Sequence, residues 1–227
     1  MKTVLLPTTV FLLILCTAGY LDISNVTAQG GPAGQDTVKH IRLDNMDANL
    51  IQLPERHQRY KNTEITGDRK SLAKKLDLTE SGGKTGVHEY AYTGTFAGYP
   101  VRNTLFVTPI TETVYSVVAY LDRRSKFDQA YEDYNVFKTN LTEVYGPPAT
   151  QKEEFASPYK RGDGYSIRAL KEGKATFLSA WDTGLGVVFI KIIPSAETSA
   201  CLMISYTDTS GQELYDAENK EIIKRDL

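Results

Sequence analysis

The sequence predicts an α+β protein, in which an antiparallel β-sheet has helices packed on one face. Several segments of strand length are apolar or alternate, and short turns join them in sequence, as in an antiparallel meander. The segment from Lys126 to Tyr145 instead repeats aromatic and apolar residues at a spacing near 3.6, the pattern of an amphipathic helix. This long helix and the strands around it define the fold class.

Composition supports a folded domain and argues against one class of partner. The chain has 227 residues, of which 41% are hydrophobic, enough to bury an ordinary core. Its 26 basic and 28 acidic residues leave a formal net charge of -2. A nucleic acid partner is therefore not expected, because no basic excess is available to neutralise phosphates.

The N-terminus has the pattern of an export signal. Lys2 precedes an apolar run, Val10 to Cys16, which is too short to span a bilayer and is followed by small residues. Cleavage after Ala18 or after Ala28 fits the pattern. We predict a signal peptide over residues 1–28 and export to the periplasm, the cell surface or the medium.

Cys16 closes the stretch Leu-Ile-Leu-Cys, which resembles a bacterial lipoprotein box, although Leu15 stands where that box needs a small residue. Cys16 is thus a candidate lipidation site, and membrane contact is expected only through the signal or this anchor. Without Cys16 the chain keeps a single cysteine, Cys201, so no internal disulfide is expected. We interpret Cys201 as a small buried hydrophobe.

We predict a flexible leader or tether over residues 29–61 and a single α+β domain over residues 62–227. Thr66 or Asp68 can cap a helix over Arg69 to Leu78 that places Leu72 and Leu76 on one face. A short terminal helix is expected over residues 212–226, with Ile222 and Ile223 as its apolar contact. The predicted strands cover residues 87–94, 104–110, 113–122, 150–157, 164–170, 174–181, 186–194 and 200–208. Of these, 113–122 is apolar on both alternating sets from Val114 to Leu121, which predicts a central strand.

An internal similarity suggests a repeat. Residues 92–122 and 177–208 have similar lengths, each ends in Tyr-x-Asp, and each follows a predicted helix. We therefore consider a duplicated helix-plus-β-meander unit, over 65–122 and 126–208, in which the second copy carries an extra hairpin. A chance match is the alternative.

Two short motifs are interpreted as turns. Arg161-Gly162-Asp163 occurs in some receptor ligands and Asp182-Thr183-Gly184 in aspartic proteases, but Gly and Asp are also the residues that tight turns require. The second motif would need a partner carboxylate that the first meander lacks. Neither a His-Glu-x-x-His nor a Cys-x-x-Cys pattern is present, so no metal or cofactor is predicted.

Aromatic residues are the remaining candidates for a binding site. The chain has 14 tyrosines and one tryptophan. Four of these rings fall at or beside predicted turns, where they could stack on a sugar or anchor a protein: Tyr99, Tyr159, Tyr165 and Trp181. The alternative is that these rings line the edge of the core.

Three stretches carry a resemblance to known proteins: GTFAGYPV (94–101), FKTNLTEVYGPP (137–148) and LMISYTD (202–208). Together they resemble a group of uncharacterised secreted or periplasmic bacterial proteins over residues 64–227. These motifs are glycines, a helix stop and a strand, so the resemblance implies a fold and no activity. The helix-plus-meander architecture is more loosely similar to that of secreted proteins that inhibit β-lactamases.

Together these observations favour an exported, noncatalytic recognition module that binds a protein or a saccharide through an open sheet face and exposed aromatics. An extracytoplasmic hydrolase with an unidentified carboxylate pair is one alternative. A structural component of envelope assembly is another.

Overall fold

The computed structural model describes residues 38–41, 51–54, 56–196 and 198–227, the first two segments by their backbone alone. The predicted signal peptide, Cys16 and most of the predicted leader lie outside these residues. Within the described part of the chain, no helix is long and apolar enough to cross a membrane.

The described elements are four helices and twelve strands. The helices are α1 Arg69–Lys75, α2 Phe127–Tyr145, α3 Ser166–Lys171 and α4 Thr209–Asp226. The strands are β1 Val38–Ile41, β2 Ile51–Pro54, β3 Arg59–Tyr60, β4 Thr63–Glu64, β5 Thr79–Gly86, β6 Glu89–Phe96, β7 Tyr99–Val107, β8 Val114–Leu121, β9 Thr150–Phe155, β10 Ala175–Asp182, β11 Gly186–Ala196 and β12 Ser199–Asp208.

Eight strands form one antiparallel sheet in the order β5-β6-β7-β8-β12-β11-β10-β9. This confirms the predicted α+β class and the central position of β8, which pairs with β12. Each half of the sheet is a four-stranded meander preceded by a helix, α1 in one half and α2 in the other. A common origin of the two halves stays a prediction. The tyrosines of the shared Tyr-x-Asp endings are not equivalent in the structure, because Tyr206 packs in the main core and Tyr120 packs against the smaller cluster on the other side of the sheet.

Helices α1, α2 and α3 cover one side of the sheet, called here the first face. Helix α2 forms as predicted, and its buried residues recur at helical spacing: Phe127, Ala130, Tyr134, Phe137 and Leu141. It ends at Gly146, whose φ of 82° is accessible to glycine without strain. Asp68 caps α1 by accepting a hydrogen bond from the Ser71 backbone N–H, and Leu72 and Leu76 are buried as expected.

One predicted strand is wrong. Residues 164–170 lie in a turn and in helix α3, so the connection from β9 to β10 is helical and the expected extra hairpin is absent from it. The buried residues Ser166, Ala169 and Leu170 are three and four positions apart, which is the spacing of a helix face. Strand β5 was not predicted, because its sequence TESGGKTG is polar and rich in glycine.

The terminal helix forms as predicted, but its apolar contact differs. Asp208 caps α4 by accepting from the Gly211 backbone N–H, and the helix packs through the fully buried Leu214 and through Tyr215. The Tyr215 ring lies 4.8 Å from Tyr115. The predicted contact through Ile223 is wrong, since that side chain is 59% exposed.

The domain begins inside the predicted leader. Tyr60 is fully buried, and its ring stacks on Phe96 with centroids 5.0 Å apart. Its hydroxyl donates to the Asn103 side-chain oxygen at 2.9 Å. The chain is therefore part of the packed domain from about Gln58, whose backbone N–H donates to Asp208 Oδ1 at 2.7 Å.

Candidate functional site

Trp181 is a core residue, and the prediction that its ring is exposed is wrong. Its side chain is 1% exposed, and the indole N–H donates to the Gly146 carbonyl at 2.9 Å. Trp181 follows Phe177 and Ser179 at alternate positions of β10, and all three side chains are buried. Strand alternation therefore directs the ring towards the first face, below the end of α2.

The three tyrosines proposed with Trp181 are dispersed. Tyr99 is half-buried, 5.6 Å from the Phe137 ring, and the Tyr159 hydroxyl donates to Glu172 at 2.7 Å. Only Tyr165 among the four predicted rings is exposed, at 58%. These four rings do not form one exposed stacking surface. The predicted saccharide site depended on such a surface and therefore loses its support.

Both short motifs adopt turns, as predicted. The Asp163 carboxylate accepts from the backbone N–H groups of Lys160 and Tyr165, at 2.9 and 2.8 Å, and these bonds hold its pKa below the ordinary value. The Arg161 guanidinium lies 4.1 Å from the centre of the Tyr131 ring. Asp182 similarly accepts from the Gly184 N–H at 2.8 Å.

A Ser, a His and an Asp meet at the start of α4, but not as a nucleophile, a base and an orienting acid. Asp208 Oδ2 accepts from the Ser210 hydroxyl at 2.6 Å and lies 3.1 Å from His57 Nδ1. Ser210 Oγ is 3.2 Å from that same Nδ1, whereas a catalytic relay uses the two ring nitrogens separately. The cluster anchors the start of the domain to the end of β12.

The side of the sheet opposite α1, α2 and α3, here the second face, carries the main candidate site. Its centre is a cluster of five buried apolar residues from four strands, called here the apolar sheet face: Val118, Leu178, Ala180, Phe189 and Met203. Partly buried residues that pack against this cluster are Phe106, Tyr120 and Ile193. Every described side chain of this cluster and its border belongs to the sheet.

This arrangement differs from an ordinary solvated sheet face. An antiparallel sheet with one wet face alternates buried apolar and exposed polar residues, whereas β8, β10, β11 and β12 each have buried apolar residues on both alternating sets. The same double pattern was recognised in the sequence only for β8. Cys201 is next to this surface on β12; it is buried as predicted, and burial raises the pKa of its thiol.

Basic residues border the apolar sheet face at one end. Arg102 and Arg123 are both exposed, and with Leu121 and Asp122 they line a depression of about 500 Å³. The Arg102 guanidinium is 5.8 Å from the Tyr120 ring centre, which places it beside the border of the cluster. A second depression, of about 330 Å³, lies between α1 and β6 and is lined by polar side chains such as Lys70, Lys74 and Glu80.

The described residues include no group of three or more His, Cys, Asp or Glu side chains placed to hold a metal ion. Comparison of the chain with protein-family models, with curated proteins and with solved structures found no match. The function is therefore argued from the geometry of this chain.

Proposed function

We propose that the protein is an exported, noncatalytic recognition protein that binds an apolar segment of a partner protein on the apolar sheet face. The observation that carries the proposal is the cluster of Val118, Leu178, Ala180, Phe189 and Met203 on the side of the sheet away from α1, α2 and α3. A large apolar patch marks a contact site when it is exposed, and this one, whose five central side chains are 3% to 7% exposed, becomes available to a partner only when whatever packs over it moves away.

The chemistry of this surface favours a protein over a saccharide. Sugars stack on exposed rings flanked by hydrogen-bonding groups, whereas the five buried residues of this face are aliphatic or thioether except for Phe189. Lys191, in register between Leu178 and Met203, adds a basic group on the same side of the sheet. Methionine and branched aliphatic side chains adapt well to the apolar side chains of a peptide. Burial of such contacts contributes about 25 cal/mol for each Å² of apolar surface.

The basic residues at one end of the apolar sheet face would orient a bound partner. Arg102 and Arg123 are exposed at one end of the face, so a partner with acidic residues beside its apolar segment would be oriented by charge. Such long-range attraction raises the association rate and weakens as salt screens it. We therefore expect the partner segment to be apolar with an acidic flank.

A displayed library of random peptides, selected on the chain from Gln29 onward, tests this proposal. Selected peptides should combine apolar residues with an acidic flank. Their dissociation constants should rise about tenfold or more, a loss of roughly 1.4 kcal/mol, for Tyr120→Asp or Ile193→Asp at the border of the face. Val136→Asp, on the exposed side of α2, is the matched control and should leave binding unchanged.

Charge is tested separately. The double variant Arg102→Glu and Arg123→Glu should slow association at low salt, and Arg168→Glu, an exposed arginine on α3, should not. Peptides whose affinity is reduced equally by Val136→Asp and Ile193→Asp would contradict the proposed surface. If no peptide is selected and a saccharide binds saturably, the protein recognises saccharides and the proposed peptide binding is wrong.

A further inference from the structure

The apolar sheet face is buried more deeply than the described layers explain. Its five central side chains are only 3% to 7% exposed. The partly buried hydrophobic residues that pack against them, Phe106, Tyr120 and Ile193, lie in the sheet itself. Neighbours within one layer shield a side chain from the sides but leave its outer end accessible, so a further layer must cover this face.

We propose that the two-stranded hairpin of β1 and β2, Val38–Ile41 and Ile51–Pro54, forms this layer in the free protein and leaves it when a partner binds. The covering is argued from the structure alone, whereas the displacement depends on the function proposed above. The hairpin then acts as an internal competitor for the apolar sheet face.

The position of the hairpin supports this assignment. Strand β2 contacts α4, and α4 packs on Tyr115, whose ring is 6.4 Å from Phe106 at the border of the face. Shortly after β2 the chain is fixed to the end of β12, where the Gln58 N–H donates to Asp208. The contact of β2 with α4 therefore places the hairpin beside the second face, while the bond to Asp208 fixes the following chain at the end of β12.

The connection is long enough to reach the centre of the face. Met203 precedes Asp208 by five residues of β12, or about 17 Å at roughly 3.3 Å per residue. The chain between β2 and Gln58, with β2 itself, spans about 20 Å or more when extended. Strand β2 can therefore lie over Met203 and Phe189 without breaking the anchor at Asp208.

The sequence of the hairpin fits a cover. Ile51 and Leu53 alternate with Gln52 and Pro54, the pattern of a strand with one apolar side. Residues 29–37, QGGPAGQDT, offer no large apolar side chain, and residues 1–28 are the predicted signal peptide. A two-stranded hairpin is at best marginally stable in water, so β1 and β2 need a surface to pack on.

The accessibility of Cys201 tests the covering. The chain from Gln29 contains this single thiol, which lies on β12 beside the face and is 1% exposed. Its reaction with a soluble aromatic disulfide should become about tenfold faster or more in the double variant Ile51→Asp and Leu53→Asp, since the cover would open. Gln52→Asp changes the same strand at the alternate position and should react like the parent. Equal rates in all three proteins would overturn the proposal.

A cross-link provides a test in a conservative variant, in case the double variant does not fold. Leu53→Cys should form an intramolecular product with Cys201 through a short bismaleimide. Val136→Cys, 47% exposed on α2, should not. The reaction is prolonged, because the covered Cys201 reacts slowly with free reagent, whereas a maleimide already attached at position 53 meets it within the same molecule. Equal yields of the product from Leu53→Cys and Val136→Cys would contradict the covering.

The selected peptides separate the two proposals. If Cys201 becomes accessible in the double variant and the peptides bind that variant more tightly than the parent, both covering and displacement are supported. If Cys201 becomes accessible but no peptide binds either protein, the covering is supported and the proposed function fails. If peptides bind both proteins equally and Cys201 stays protected, the function is supported and the hairpin is not the competitor.

Discussion

The indole N–H of Trp181 donates to the carbonyl oxygen of Gly146 over 2.9 Å, and this bond ties β10 to the residue at which α2 ends. The last carbonyl groups of a helix have no partner inside it. Trp181 therefore satisfies one such group while filling the core below the helix end.

Trp181→Phe should lower the free energy of unfolding by about 1–3 kcal/mol, because the Gly146 carbonyl loses its donor in a partly buried site. Urea denaturation followed by circular dichroism measures the change. Tyr165→Phe, at a side chain 58% exposed, is the aromatic control and should stay within about 0.5 kcal/mol of the parent. Equal stability of Trp181→Phe and the parent would contradict the role assigned to the bond.

Glu218 should be the most important carboxylate of α4. Although it lies on a polar terminal helix, its side chain is fully buried and accepts from the Ile110 N–H at 2.6 Å and from the Thr111 hydroxyl at 2.6 Å. Glu218→Ala leaves these donors unpaired and should cost about 3 kcal/mol of unfolding free energy. Glu221→Ala, three residues along the helix, removes only surface ion pairs and should cost less than about 1 kcal/mol. Similar losses in the two variants would show that the Glu218 contacts are not formed in solution.

Glu153 should make stability depend on acid pH. Burial would raise its pKa, but hydrogen bonds from Lys138 and Tyr131, among others, outweigh that effect and hold the pKa below its ordinary value of 4.5. A carboxyl group with a lowered pKa in the folded state stabilises that state fully above pH 4.5, and this stabilisation is lost as the pH falls through the folded value. Glu153→Gln should therefore reduce the difference in unfolding free energy between pH 7 and pH 3. Glu154→Gln, exposed on the same strand, should change that difference less.

Asp163 should matter for the conformation of its turn. Its carboxylate holds two backbone N–H groups, those of Lys160 and Tyr165. Asp163→Ala should speed amide hydrogen exchange at both positions, whereas Asp163→Asn keeps a side-chain acceptor and should change exchange less. Unchanged exchange in Asp163→Ala would contradict the turn as described.

The fold was largely predictable from sequence because local periodicity and tertiary packing agree in most elements. The double apolar pattern of β8 and the 3.6-residue pattern of α2 each favour one structure, and both formed. Prediction failed where the local sequence pattern and the tertiary packing favour different structures. In α3, aromatic and β-branched residues suggested a strand, but the burial of Ala169 and Leu170 decides for a helix.

The candidate site was less predictable, because it depends on which side of the sheet each residue reaches. Turn position suggested that Trp181 is exposed, but strand alternation and the end of α2 bury it. Conversely, Phe189 and Met203 look like ordinary core residues in the sequence. Only the arrangement of the helices shows that they lie on the face that α1, α2 and α3 leave uncovered.

The sequence by itself determined the fold class, the long helix, most strands and the turn character of Arg161-Gly162-Asp163, since each depends on neighbours within a few residues. The tertiary structure decided which apolar residues form the main core and which form the apolar sheet face. That choice depends on the pairing of β8 with β12 and on the side of the sheet that each helix takes. Contacts between residues distant in the chain set both, and local periodicity carries no information about them.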